Sequence, residues 1–141
     1  MTYWVLLADP EDFGWNELEK DGAAVWDGIK NARAQNNLRK ASKGDQALIY
    51  HTAPDKAIVG IAKITGEARP DPKAEDRVVV DVKPVKRLKR ALPLAELKAD
   101  KTLSEMSFVK MPRVAVQPVT EKQWDRVLAL SGTEQGGGNR G

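Results

Sequence analysis

His51 is the one histidine of the chain, and the sequence contains no cysteine. A lone imidazole cannot make a two-histidine metal site, and without thiolates neither a thiolate zinc site nor a cysteine nucleophile is available. Ser42, Ser104, Ser107 and Ser131 could supply hydroxyls, but none stands in the strand–turn–helix setting of a nucleophile elbow. The only glycine run is the terminal GTEQGGGNRG, so no phosphate-cradling loop is present. The carboxylates of DPED and PDPKAED sit beside prolines, where they read as turn residues rather than acid–base pairs or metal ligands. Hydrolytic catalysis therefore finds little support, and no metal or cofactor is expected.

A different chemistry stands out between Ile29 and Lys40. That stretch, IKNARAQNNLRK, holds three asparagines, one glutamine, two arginines and two lysines against four small or aliphatic residues. Trp26 precedes it, followed by the turn-like Asp27-Gly28. Trp26, Tyr50 and Trp15 offer π-faces, while Asn31, Gln35, Asn36, Asn37 and Arg113 offer planar hydrogen-bonding groups. An unstacked base needs these two things, an aromatic platform and contacts to its edge. Carboxamides suit the second because each carries a donor and an acceptor. Trp26 is equally compatible with a pocket wall and with the core. Asn36 and Asn37 are compatible with a ligand or with a solvated helix face. Trp4 and Trp124 lie in apolar patterns and read as core.

The elements that would position these groups follow from periodicity. YWVLLA (Tyr3–Ala8) is apolar on both alternating faces and predicts a strand buried on each side. WNELEKDG predicts a short helix stopped by Gly22. A second helix is expected over about Lys30–Ala41, with Ala34, Leu38 and Ala41 as its packing stripe. Gln46–Thr52 and Ala57–Ile64 read as a hairpin, with Gly60 marking a bulge or a close backbone approach. ARPDPKAED reads as a loop and RVVVDVKPVKRL as a long strand that bends at Pro84. PLAELKAD is a short helix started by Pro93. Leu103, Met106 and Phe108 anchor an irregular stretch, and Arg113–Val119 is a closing strand. Thr120 and Gln123 form a capping box ahead of a helix with Trp124, Val127 and Leu128 on one face. Strands mixed with short helices, without regular alternation, indicate an α+β domain around a closed or nearly closed sheet.

A chain of 141 residues is long enough for one hydrophobic core. Residues 1–132 are expected to form a single domain and 133–141 a flexible Gly-rich tail. No apolar run approaches the roughly 18 residues of a membrane span, and the opening MTYWVLLADPED lacks a signal peptide's basic region, so a cytoplasmic monomer is expected. The net charge is +3 with a pI near 9.2. Five of the eight residues Lys83–Arg90 are basic, and Lys30, Arg33, Arg39, Lys40 and Lys43 form a second basic group. Acids gather instead at Asp9, Glu11, Asp12, Glu17, Glu19 and Asp21. One basic and one acidic side suits a phosphate-backbone binder, and a mixed solvated surface equally.

Three motifs together resemble the EVE domain, a member of the PUA-like superfamily related to YTH and ASCH domains. They are W-x-G-x-x-N-x-x-A-x-N-x-L from Trp26, G-D-x-x-x-x-Y-H-[ST] from Gly44, and V-Q-P-V from Val116. The resemblance spans about residues 2–132. It implies an α+β, PUA-like mixed β-pseudobarrel with short flanking α-helices, and a nucleic-acid-binding module that recognises a modified base: methylated or hydroxymethylated cytosine in DNA, or a modified RNA base. Carried over by position, Trp26 would stack on the base, Asn31 and Asn36 would meet its edge, and Tyr50 and His51 would line the pocket floor. Arg113 would reach the pocket mouth or a phosphate. Arg33, Arg39, Lys40, Lys83, Lys86 and Arg87 would hold the nucleic-acid backbone. Where many relatives read Lys-Ser-Glu-Pro, this chain has Leu7-Ala8-Asp9-Pro10, and Gln35 stands where many carry an arginine. Two alternatives belong beside this one: a metal-independent, ribonuclease-like enzyme of the ASCH type using Tyr50, His51 and Arg113, and a PUA-like domain for small ligands.

Overall fold

The computed structural model describes residues 2–133; of the tail expected at 133–141, residues 134–141 lie outside the described part. The first strand, β1 (Tyr3–Ala8), is followed by α1 (Trp15–Asp21), β2 (Ala24–Trp26) and α2 (Ala32–Arg39). Then come β3 (Gln46–His51), β4 (Ala57–Ile64), β5 (Arg69–Asp71) and β6 (Ala74–Pro93). The chain ends with α3 (Leu94–Ala99), a 3-10 turn (Leu103–Glu105), α4 (Ser107–Lys110), β7 (Val116–Val119) and α5 (Glu121–Ser131). The strands form one curled, mixed sheet in the order β2-β6-β4-β3-β1-β7, with β5 paired to β6. Only β1 and β3 run parallel among these pairs, and both are nearly continuous in apolar residues because each sheet face there is covered.

Alternation divides the core in two. Trp4, Leu6 and Ala8 of β1 join Ala47 and Ile49 of β3 in one cluster with Trp15, Leu18, Ala34 and Leu38 from α1 and α2. Val5, Leu48 and Tyr50 point the other way, into a cluster with Leu97, Leu103, Phe108, Trp124 and Val127. Tyr3 stacks on Trp124 at a ring separation of 4.4 Å. The capping box of α5 forms as expected: Gln123 N–H donates to Thr120 Oγ1 at 3.1 Å, and Thr120 N–H to Gln123 Oε1 at 3.0 Å.

The open side of the curled sheet is crossed by α2, and here the amides find partners. Asn31 caps the helix, its Oδ1 accepting from Ala34 N–H at 2.9 Å. Gln35, only 4% exposed, pairs with β6: its Nε2 donates to Val78 O at 3.3 Å and its Oε1 accepts from Val78 N–H at 2.9 Å. The same Nε2 reaches Ile29 O at 2.9 Å. Asn37 holds the opposite edge, donating from Nδ2 to Val116 O of β7 at 2.8 Å. Gln35 and Asn37 thus substitute for the ladder hydrogen bonds that a closing strand would make, and they fasten the half-barrel shut.

Several expectations are corrected. ARPDPKAED is a hairpin, β5 folding back on the start of β6, rather than a loop. Ala24–Trp26, for which the sequence predicts no element, is a strand, with Trp26 paired to Val80. α2 starts at Ala32 instead of Lys30 because Asn31 takes the capping position. β7 is shorter than Arg113–Val119, since Gln117 Nε2 turns back to Met111 O and Val114 O, both at 2.8 Å. Pro84 is tolerated in the long β6 because the β4–β6 register shifts between Ile61 and Ala62, where Ala62 pairs with Pro84.

The turn at Asp45 ties the N-terminal strand to the hairpin. Its buried carboxylate accepts from Trp4 Nε1 at 3.0 Å, Ser42 N–H at 2.9 Å and Thr2 N–H at 3.2 Å. Asp45→Asn keeps the shape but turns one acceptor into a donor among three donors. We expect it to cost about 1–2 kcal/mol of stability, read as a lower midpoint in urea at unchanged slope. No change in the midpoint would refute this role for the carboxylate. Among the described residues, no helix is long and apolar enough to cross a membrane.

Candidate functional site

The carboxyl end of β1 and the short strand β2 diverge around a cavity of about 490 Å³. Its wall is Leu7, Ala8, Ala24, Trp26, Ile29 and Ala115, with Phe13 set edge-on to Trp26 at 6.3 Å. Trp26 is 7% exposed; it packs with the core and also lines the cavity, so both uses left open by its sequence setting apply. Gly28, at φ 75°, turns the chain out of β2 and lets Ile29 fold under the cavity. The volume lies within the range of small-molecule and cofactor sites.

The cavity's charge is all of one sign. Asp9, Asp12 and Asp27 line it, and no lysine, arginine or histidine does. A phosphate placed about 4 Å from one of these carboxylates would meet repulsion on the order of 4 kcal/mol at the effective dielectric of a protein surface. An exocyclic amine or ring N–H would instead find acceptors. Leu7 and Ala8, standing where a Lys-Ser pair was the expected family pattern, leave this wall apolar.

A second depression, of about 510 Å³, lies against α2. It is lined by Arg33, Asn36, Asn37 and Lys40 of α2, with Ser107, Met111, Gln117 and Pro118 opposite. The segment between α4 and β7 contributes to both depressions, Met111 to the groove and Ala115 to the cavity. Arg33 Nη1 touches Met111 Sδ at 3.5 Å. Arg39 is engaged elsewhere, donating to Asn36 Oδ1 at 3.2 Å and to Asp76 O on β6 at 2.8 Å.

The residues singled out from sequence are therefore spread over several places. Trp26 is in the cavity; Asn36, Arg33 and Lys40 are in the groove; Asn31 is spent on the helix cap. Arg113 is exposed on the loop between the two depressions. Tyr50 and His51 do not share a floor, because neighbours on a strand face opposite sides of the sheet. Tyr50 packs on Phe108, ring centroids 4.8 Å apart, in the second core cluster. Burial pushes its phenol above the ordinary value, the wrong direction for a proton acceptor near neutral pH. His51 faces α1, where Nε2 accepts from Trp15 N–H at 2.9 Å while Nδ1 lies 2.9 Å from the Asp55 carboxylate. That arrangement anchors the start of α1. Lys83, Lys86 and Arg87 lie on β6, away from the cavity lining; Arg87 donates to Asn16 at 2.7 Å and to Glu19 at 3.3 Å. Phe13, Asp9, Asp12 and Asp27 are among the cavity residues missed by sequence reasoning. Their only signal was proximity to Trp26 or to the end of β1.

Comparison with known proteins agrees with this architecture. The EVE domain model matches residues 2–130. Mouse thymocyte nuclear protein 1 is 33% identical over an alignment covering 94% of this chain and 75% of that protein. A solved structure from Rhodopseudomonas palustris superposes with a TM-score of 0.90 at 34% identity, covering 100% of both chains. Human THYN1 protein, solved in complex with 5-methylcytosine-containing DNA, superposes with a TM-score of 0.86 at 27% identity over 96% of this chain and 100% of that one. An ASCH protein from Zymomonas mobilis, at 14% identity with a TM-score of 0.59 over 92% of this chain and 95% of that one, shares the PUA-like fold.

Proposed function

This chain belongs to the EVE domain family, and on that premise we propose that it binds nucleic acid by seating one modified base in the Trp26 cavity. The observation that carries the proposal is the cavity's make-up: an indole with an apolar wall for stacking, and carboxylates as edge acceptors. The human relative's complex with methylcytosine DNA supports the same class of ligand. Methylated or hydroxymethylated cytosine fits best, since its exocyclic amine is a donor for Asp12 or Asp27 and its 5-substituent is suited to the side formed by Leu7, Ala8 and Ile29. The domain acts in this reading as a reader with no chemistry of its own. Tyr50, His51 and Arg113 are each committed or placed apart, which counts against the ribonuclease alternative.

Intrinsic fluorescence tests this directly. Trp4, Trp15 and Trp124 are core residues, so a base entering the cavity should quench Trp26 selectively. Matched oligonucleotides carrying plain cytosine, 5-methylcytosine, 5-hydroxymethylcytosine or a methylated adenine are titrated at two salt concentrations. The expected result is preferential, salt-resistant quenching by one modified oligonucleotide. Trp26→Ala should weaken that binding about tenfold or more, in line with roughly 1–3 kcal/mol for a stacked base. Equal affinity for plain and modified strands at every salt concentration would reject base reading. Binding of free nucleosides with none to oligonucleotides would point instead to a small-ligand domain.

A further inference from the structure

Two basic surfaces could carry the phosphodiester backbone, the α2 groove and the stripe on β6, and the structure distinguishes them. We propose that the strand enters and leaves the Trp26 cavity through the α2 groove, across the loop Met111–Ala115, with its phosphates on Arg33 and Lys40 and not on the Lys83–Arg90 stripe. The inference rests on the base-seating reading above and assigns the path of the strand within it.

Three observations support the assignment. First, the cavity cannot take a phosphate itself: Asp9, Asp12 and Asp27 line it without a counter-charge among its lining residues. The backbone next to a seated base is therefore driven toward cations outside the cavity. Second, the groove supplies two cations on one wall. Arg33 and Lys40 are exposed side chains of α2, the helix reached directly from Trp26 and Ile29, and the loop that supplies Ala115 to the cavity supplies Met111 to the groove. The opposite wall offers the Ser107 hydroxyl. Third, two cations of the β6 stripe already have carboxylate partners. Arg87 pairs with Glu19 at 3.3 Å, and Arg90 grips Glu96 with two bonds of 2.7 and 2.6 Å. The shallow depression beside Lys86, Arg87 and Lys89 is closed by Gly132 and Thr133, residues that do not line the cavity.

The test compares the double variants R33Q/K40Q and K86Q/K89Q with the natural chain. Each is titrated with the preferred modified oligonucleotide from low to moderate salt, and with the matching free nucleoside. Each phosphate contact contributes roughly 0.7–0.9 to the slope of log affinity against log salt, so R33Q/K40Q should lower the slope by about 1.5 and weaken low-salt binding about tenfold or more. Its nucleoside affinity should stay within about twofold, because a nucleoside carries no phosphate. K86Q/K89Q should move the slope by less than half as much. A slope loss confined to K86Q/K89Q, or an unchanged slope in R33Q/K40Q, overturns the path. If the natural chain binds no nucleoside or oligonucleotide through Trp26, the base-seating reading fails, and that result is read separately from the slopes. Arg33, Lys40 and Lys89 are exposed and Lys86 is half-buried, and unchanged circular dichroism of both variants verifies that the fold was kept.

Discussion

Replacing Gly60 with alanine should cost the domain about 3 kcal/mol, seen as a melting temperature lower by roughly 10 °C. In most strands the same change is neutral or helpful, because glycine loses more backbone entropy on folding. Here a β-carbon would sit 2.5 Å from Trp15 Cζ3 and 2.6 Å from its Cε3 and Cη2. The obstruction is a flat indole in the interior, not the free end of a flexible chain. Trp15 is fully buried, so the ring cannot swing aside without displacing the core side chains packed around it. Relief must come from β4 itself, where the register with β6 already shifts between Ile58 and Gly60. The double change Gly60→Ala with Trp15→Leu discriminates cause from coincidence. It should be more stable than the sum of the two single losses predicts, since removing the ring makes room for the methyl group. Additive losses would show that the contact is not the reason for the glycine.

A similar loss, about 3 kcal/mol, is expected from Gln35→Leu, although leucine is the more hydrophobic residue. The substitution removes both amide bonds to Val78 and the one to Ile29, leaving a half-buried N–H and two carbonyls to find other partners. Leaving such groups unpaired costs about 1–3 kcal/mol each before relaxation, more than a leucine's added burial returns. The same seam should open locally: hydrogen exchange at Val78 N–H is expected to accelerate well beyond the change in global stability. Asn36→Ala, on an exposed position one residue later, should stay within about 0.5 kcal/mol. If Gln35→Leu proves as mild as Asn36→Ala, the amide is not a clamp.

These two predictions alter the meaning of the amide-rich helix. Its composition suggested a ligand, and only Asn36 among its amides remains without a backbone partner. Gln35 and Asn37 are needed because a sheet whose edges do not meet must satisfy its edge groups some other way, and Asn31 caps the helix that carries them. The proposed ligand cavity lies beside that seam, at the place where β1 and β2 part, and it inherits its shape from the closure. A loosened clamp should therefore reduce base affinity as well as stability.

Local pattern was sufficient wherever the partner of a residue lies close in the chain or the environment is uniform. The doubly buried β1 and β3, the β3–β4 hairpin, the Gly22 stop of α1 and the Thr120–Gln123 box were all legible, because alternation, turns and caps are short-range physics. Gly60 was marked as a close approach, though nothing in its surroundings named Trp15 as the obstacle. The opposite facing of Tyr50 and His51 was also implied by strand alternation, and a position-by-position likeness had placed them together. What only the tertiary structure decided depends on distant pairing. β2 exists because β6 lies beside it, and its outward residue is the apolar Val25, 46% exposed, so no polar–apolar alternation marked it in the sequence. Gln35 meets a strand 43 residues away and Asn37 one 79 residues away. The cavity gathers carboxylates from before α1 and after β2 around one indole. A carboxamide or a carboxylate has the same sequence signature whether it fastens a seam, caps a helix or faces a ligand; the choice is made by which backbone groups the closed sheet leaves unpaired beside it.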